Sequence, residues 1–161
     1  MHLSNIDVRR ANRILVYRAI LEERSITRPE LATLLGLSLP TVTQNVRTLI
    51  EEGLAQETGP QPSTGGRKAM LIAPVLEARV ALGMDITKNH MSLAAVNLGG
   101  EILSHVRLQQ PFENTKEYYA LTAQTLLQFL EEQDIPQYKV LGAGISFPSI
   151  VNSRENLLVG S

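Results

Sequence analysis

The chain is predicted to be α+β and built in two parts, a helical head and a β-rich second domain. Three observations carry this. Apolar residues up to about residue 50 recur at helical spacing, interrupted by a tight Gly36–Ser38 turn. Beyond Pro74 the pattern becomes alternating, with three runs of eight residues that read as strands. Aromatic residues make up only 4% of the 161-residue chain against 43% apolar residues, so both cores must be aliphatic.

The first helix is expected over about Ile6 to Glu23, burying Ile14, Tyr17 and Leu21. A second short helix takes its apolar side from Leu31, Ala32, Leu34 and Leu35, and Gly36 ends it where a residue free to adopt positive φ is favoured. Ser38 is placed to cap a third helix, with Pro40 tolerated in the first turn, where backbone N–H groups lack intrahelical partners. Val42, Val46, Leu49 and Ile50 then fall on one face, turned to a core. Pro40, Thr41, Gln44, Arg47 and Thr48 point the other way, flanked by Thr43 and Asn45. Short hydroxyls, amides and one guanidinium are the groups that pair with base edges and phosphates. No Asp or Glu occurs from Leu31 to Ile50, so this surface does not repel a phosphate backbone. An ordinary helical hairpin with a polar outer face is the plainer alternative.

The stretch after the third helix favours nucleic acid. Gly53 closes that helix, and Leu54–Thr58 and Ala69–Ala73 are expected to pair as a two-stranded wing. Between them lies Gly59-Pro-Gln-Pro-Ser-Thr-Gly-Gly-Arg-Lys68, and no acid occurs from Thr58 to Leu76. A glycine-rich basic tip of this kind suits a narrow minor groove, where the negative potential is strongest.

The order Arg28-Pro-Glu-Leu-Ala, Gly36-Leu-Ser, Pro40-Thr-Val, Leu49-Ile-Glu-Glu-Gly-Leu and Thr64-Gly-Gly-Arg resembles the DNA-binding half of the ROK family (repressors, open reading frames, kinases), specifically its sugar-responsive repressors. The resemblance covers roughly residues 10 to 75. It implies a winged helix-turn-helix that binds AT-rich double-stranded operators as a dimer, with the third helix in the major groove and the Gly-Gly-Arg wing reaching toward the minor groove. Carried over by position, it implies base or phosphate contacts for Thr41, Thr43, Gln44 and Arg47, with Ser38 and Asn45 beside them. It implies minor-groove contact for Arg67, presented by Gly65 and Gly66 and supported by Lys68.

Charge is split along the chain. Residues 1–72 carry nine Lys/Arg against seven Asp/Glu, a balance of +2, and the remainder carries six against nine, a balance of −3. Affinity for DNA must then come from local placement of charge and from two copies, not from a broad basic surface. Arg9, Arg10, Arg13 and Arg18 serve either phosphates or simply the solvated side of the first helix. No apolar run is long enough to span a bilayer, the N-terminus lacks the cationic and apolar parts of a signal peptide, and cysteine is absent. A cytoplasmic protein without disulfides or a thiolate metal site is expected.

The domain boundary is expected at residue 75, giving a winged helix-turn-helix over 1–75 and a second domain over 76–161. In the latter, Arg79–Ile86, His90–Asn97 and Glu101–Leu108 read as strands, the last two joined by a Leu-Gly-Gly turn. Lys116–Gln133 reads as a helix offering Tyr119, Leu126, Leu127 and Leu130 for burial, and Val140–Phe147 as a buried strand able to run parallel to the first. That order opens a ribonuclease-H-like fold of the actin and sugar-kinase type, which is how the ROK family continues, here only in part.

Kinases of that family carry Asp-x-Gly-Gly-Thr in the first hairpin, where glycines admit ATP phosphates. Here Gly83-Met-Asp-Ile-Thr-Lys-Asn-His90 keeps Asp85 but puts Thr87 and Lys88 where the glycines would be, and Ser149 replaces the glycine of a Pro-Gly turn. Asp85 therefore reads as a turn or strand-end carboxylate, and no catalytic, cofactor-binding or metal-binding residues are assigned. His2, His90 and His105 lack carboxylate or cysteine partners at ligand spacing, and Ser146 and Ser149 form no nucleophile elbow. The family's sugar-binding acid and histidine, its zinc cluster and its general base fall downstream of Ser161. The chain is accordingly expected to be a shortened form with an uncovered sheet edge, able to pair with another copy. A sugar or phosphosugar effector is expected only of a full-length form. A sugar-kinase-related enzyme and a dimerisation fragment without DNA binding of its own are the competing expectations.

Overall fold

The computed structural model describes residues 5–60, 69–148, 150–152 and 157–159. The chain divides into two compact units, Met1–Ala78 and Arg79–Ser161.

In the first unit, α1 (Asn5–Glu23), β1 (Ile26–Thr27), α2 (Arg28–Leu35), α3 (Leu39–Glu51), β2 (Ala55–Pro60) and β3 (Met70–Pro74) follow in order. β2 and β3 pair antiparallel as the wing expected, but it is not left two-stranded. β1 adds to it, giving an antiparallel sheet ordered β1-β3-β2 with Ile26 opposite Ile72 and Thr27 opposite Leu71. The ladder between β2 and β3 shifts register between Glu57 and Gly59, where Gly59 sits at φ 124°. Such a bulge bends and twists the hairpin.

The core of this unit gathers Val16, Ala19, Ile20, Ile26, Leu31, Val42, Val46, Leu49, Ala55 and Ile72. On α1 the buried stripe is therefore Val16–Ala19–Ile20. The expectation of Ile14, Tyr17 and Leu21 is corrected: Tyr17 packs only partly against the core, Leu21 is half-buried and Ile14 is 46% exposed. Helical spacing fits both stripes, which lie side by side on the same cylinder. Only the position of α3 and β3 chooses between them.

Local capping sets the helix boundaries. Thr27 opens α2 with a capping box, its Oγ1 accepting from the Glu30 N–H at 3.4 Å while the Glu30 carboxylate accepts from the Thr27 N–H at 2.8 Å. This satisfies the polar atoms of Thr27, which is 2% exposed. Two ion pairs tie elements together: Arg13 to Glu52 at 2.7 Å, from α1 to the end of α3, and Arg28 to Glu57 at 2.6 Å, from α2 to β2.

In the second unit, β4 (Val80–Ile86), β5 (Met91–Asn97) and β6 (Ile102–Leu108) precede α4 (Lys116–Glu132) and β7 (Val140–Ser146). The sheet is ordered β6-β5-β4-β7, with antiparallel β6-β5 and β5-β4 pairs and a parallel β4-β7 pair. Three antiparallel strands, a helix and a strand returning parallel to the first make this a mixed α/β unit, in the order of elements the sequence predicts. Val80, Leu82, Met84 and Ile86 of β4 and Met91, Leu93 and Ala95 of β5 alternate onto one face, where Tyr118, Phe129 and Leu130 of α4 join the same core.

Two expectations are corrected here, the first in part. α4 buries Leu130 and packs Leu126 against the core as expected, but Tyr119 and Leu127 are 41% and 47% exposed, and Tyr118, Thr122 and Phe129 are buried instead. The Thr122 hydroxyl donates to the Tyr118 carbonyl at 2.9 Å. β7 is not buried: Leu141 is 63% and Ile145 49% exposed. Among the described residues it pairs on one side only, and Gly142 and Gly144 bring no side chains to either face. Ile150–Asn152 and Leu157–Val159 form β8 and β9, a separate antiparallel pair.

Candidate nucleic-acid interface

The turn between α2 and α3 is built by backbone geometry. Gly36 ends α2 at φ 62°, ψ 27°, a left-handed conformation in which an L side chain is strained. The Leu37 N–H then closes onto the Ala32 carbonyl at 3.1 Å. Two residues on, Ser38 is in extended backbone and caps α3, its Oγ accepting from the Thr41 N–H at 3.3 Å. Pro40 lies in the first turn, as expected. Val42, Val46 and Leu49 are buried, so α3 is fixed by one face and presents the other. Its far end turns away at Gly53, φ 70°.

The front of α3 divides by what each side chain already holds. Ser38 and Thr41 share an Oγ–Oγ1 hydrogen bond of 2.8 Å, so both hydroxyls belong to the cap. The Asn45 amide turns back along its own helix and donates to the Thr41 carbonyl at 2.8 Å. Thr48 likewise donates to the Gln44 carbonyl at 3.1 Å. Arg47 Nε donates to Glu51 Oε1 at 2.8 Å, with both side chains more than half exposed. Thr43 and Gln44 are exposed, and among the described residues their side chains make no hydrogen bond. Leu39, the first residue of α3, is 47% exposed.

Of the ten residues the sequence singled out, the structure thus brings Ser38, Thr41, Thr43, Gln44, Asn45 and Arg47 together on one helix. Gly65, Gly66, Arg67 and Lys68 lie outside the described residues, in the segment that joins β2 to β3. Arg13 is engaged with Glu52, while Arg9, Arg10 and Arg18 are exposed along α1. Sequence reasoning passed over Leu39, because an apolar residue beside an apolar periodic face reads as core.

In the second unit, Asp85 accepts a hydrogen bond from the Ser146 hydroxyl, joining β4 to β7 near the end of both strands. Thr87, where a phosphate cradle would need glycine, is used in its own turn: its hydroxyl donates to the His90 carbonyl at 3.0 Å and accepts from the His90 N–H at 3.1 Å. Among the described residues no helix is long and apolar enough to cross a membrane.

Comparison with known proteins agrees with this geometry. Residues 9–56 match a family model described as winged helix-turn-helix DNA-binding. The chain is 26% identical over 155 residues to a xylose repressor of Bacillus spizizenii, covering 94% of this chain and 39% of that protein. It is 28% identical over 153 residues to the DNA-binding transcriptional dual regulator NagC of Escherichia coli, covering 93% of this chain and 37% of that one. A crystal structure of a ROK-family transcriptional regulator, a homologue of the E. coli Mlc protein, superposes with a TM-score of 0.67 at 22% identity, over 94% of this chain and 38% of its own. The chain thus spans about two fifths of the length of the relatives it matches. With the capped helix, its polar front and the adjoining hairpin, these matches identify a winged helix-turn-helix DNA-binding unit, in a chain similar in sequence to sugar-named repressors and in fold to a ROK-family regulator.

Proposed function

We propose that the chain is a sequence-specific DNA-binding regulator, a repressor of carbohydrate-use genes, acting in the cytoplasm. One observation carries the reading: α3 is anchored by Val42, Val46 and Leu49 while its opposite side offers Thr43, Gln44 and Arg47 with no carboxylate before Glu51. A capped helix held this way presents its first turns to base edges in a major groove.

The wing supplies the second contact. By sequence, the segment between β2 and β3 carries Arg67 and Lys68 after two glycines. Arginine in a narrow, A·T-rich minor groove adds affinity without reading a base edge. One head of this size binds weakly, so two copies engage a pseudo-palindromic operator. The names of the relatives, xylose repressor and N-acetylglucosamine repressor, support a sugar or phosphosugar as the effector of the full-length form. Catalysis and a resident cofactor form no part of this reading.

Selection from a random-sequence duplex library tests it. A common motif should emerge in A·T-rich flanks, bound in gel shift as two copies per duplex. A chain that enriches no sequence, or binds every duplex alike, is not a sequence-specific regulator.

A further inference from the structure

We propose that Leu39 is a base-reading residue, and that its partner is the 5-methyl group of a thymine in each operator half-site. The inference rests on the DNA-binding reading above and adds to it the chemistry of one contact.

Three observations lead there. Leu39 is nearly half exposed, yet the partly buried apolar residues that complete the core are Tyr17, Ala32, Leu35, Leu37, Ile50 and Leu54. Leu39 is instead one of the large apolar side chains left exposed on the unit. It occupies the first helical position after the Ser38 cap, the end of a recognition helix that enters the groove first. The neighbouring polar groups are already engaged: Ser38 with Thr41, Asn45 with the Thr41 carbonyl, Arg47 with Glu51.

What remains at the leading end is Leu39, Pro40, Thr43 and Gln44, two apolar surfaces beside a hydroxyl and an amide. The major groove displays one apolar feature, the thymine methyl, and Gln pairs bidentately with adenine N6 and N7. A·T pairs are the only base pairs that offer both features at once. Leu39 and Gln44 thus fit a short run of A·T pairs read from the major groove, separately from any preference the wing exerts through groove width.

The experiment uses the whole chain and the duplex enriched from the random library. Each thymine is replaced in turn by deoxyuridine, which keeps the pairing edge and removes only the methyl. Binding of wild type and Leu39→Ala is followed by fluorescence anisotropy at fixed salt, with circular dichroism confirming that the variant is folded. One thymine per half-site should lose about fourfold in affinity for wild type when its methyl is removed, the value of one buried methyl-sized group. Leu39→Ala should be weaker on the parent duplex and indifferent to that same replacement. Equal sensitivity of both proteins to every deoxyuridine, or no sensitive thymine at all, overturns the assignment while leaving DNA binding intact. Failure to enrich any duplex overturns the DNA-binding reading and this inference with it.

Discussion

Arg47 and Glu51 sit one turn apart on α3, and the guanidinium Nε donates to the carboxylate at 2.8 Å. The pair lies on the exposed side of α3, the side proposed to meet DNA. Both side chains are more than half exposed, so it is worth only a few tenths of a kcal/mol. A phosphate can therefore take Arg47 from Glu51 at little cost, and Glu51 acts as a weak competitor for the same cation. Glu51→Gln should raise affinity for the enriched duplex about two- to fivefold by freeing Arg47 and removing a negative charge. Arg47→Ala should weaken binding to all sequences alike and lower the slope of log K against log salt by about 0.9. Anisotropy titrations across a salt series check both.

Gln44 is the amide on the exposed side of α3 that no other group holds among the described residues. Gln44→Ala should leave weak general binding and flatten the preference among operator variants, by about 1–3 kcal/mol at the base it reads. Competition between matched and mismatched duplexes measures this. Unchanged discrimination would remove Gln44 from the set of base-reading residues.

Arg67→Ala should weaken binding most where the flanks are A·T-rich and least where they are G·C-rich, because only the former narrow the minor groove. Affinities on two duplexes differing only in their flanks give the answer.

The turn before α3 depends on two local features. Gly36→Ala places a side chain at φ 62° where space is open, so the cost is backbone strain, about 1–2 kcal/mol. Ser38→Ala removes the α3 cap, for about 1 kcal/mol. Denaturant melts of the two variants should show both losses. If Gly36→Ala is as stable as wild type, the left-handed turn is not what joins the helices.

Tyr118 provides a pH test of the second unit. Burial raises its phenol pKa above the ordinary value, because the ionised form is poorly solvated there. The folded pKa exceeds the unfolded one, so this stabilisation is fully present below about pH 10 and is lost as pH rises through the raised folded value. A side-chain interaction with Thr122 offsets part of that rise, and Tyr118→Phe should leave stability at neutral pH within about 1 kcal/mol and soften the alkaline loss. Thermal melts between neutral and alkaline pH compare the two.

The relation of sequence to structure differs from element to element. α3 is legible end to end: Ser38, Pro40, Val42, Val46, Leu49 and Gly53 all do what their spacing implies, since capping and helical periodicity act within a few residues. The capping box of Thr27 and Glu30 is equally local, yet it emerges only in the structure, and with it the strand that Ile26 and Thr27 add to the wing. A two-residue strand carries no periodicity. It exists only because β3 offers an unpaired edge.

The sequence by itself determined the bounds of α1, α3 and α4 to within a residue or two, the end of α2 at Gly36, which side of α3 is apolar, the three antiparallel strands of the second unit and the parallel return of β7. These follow from interactions between near neighbours and from side-chain periods of 3.6 and 2. Tertiary structure alone decided which of two adjacent stripes α1 buries, which of the aromatic neighbours Tyr118 and Tyr119 α4 turns inward, and that Asn45 and Arg47 are held by their own helix while Leu39 is left exposed. Each of those depends on which surfaces meet and which polar groups find a nearer partner, and neither is written in the spacing of residues along the chain.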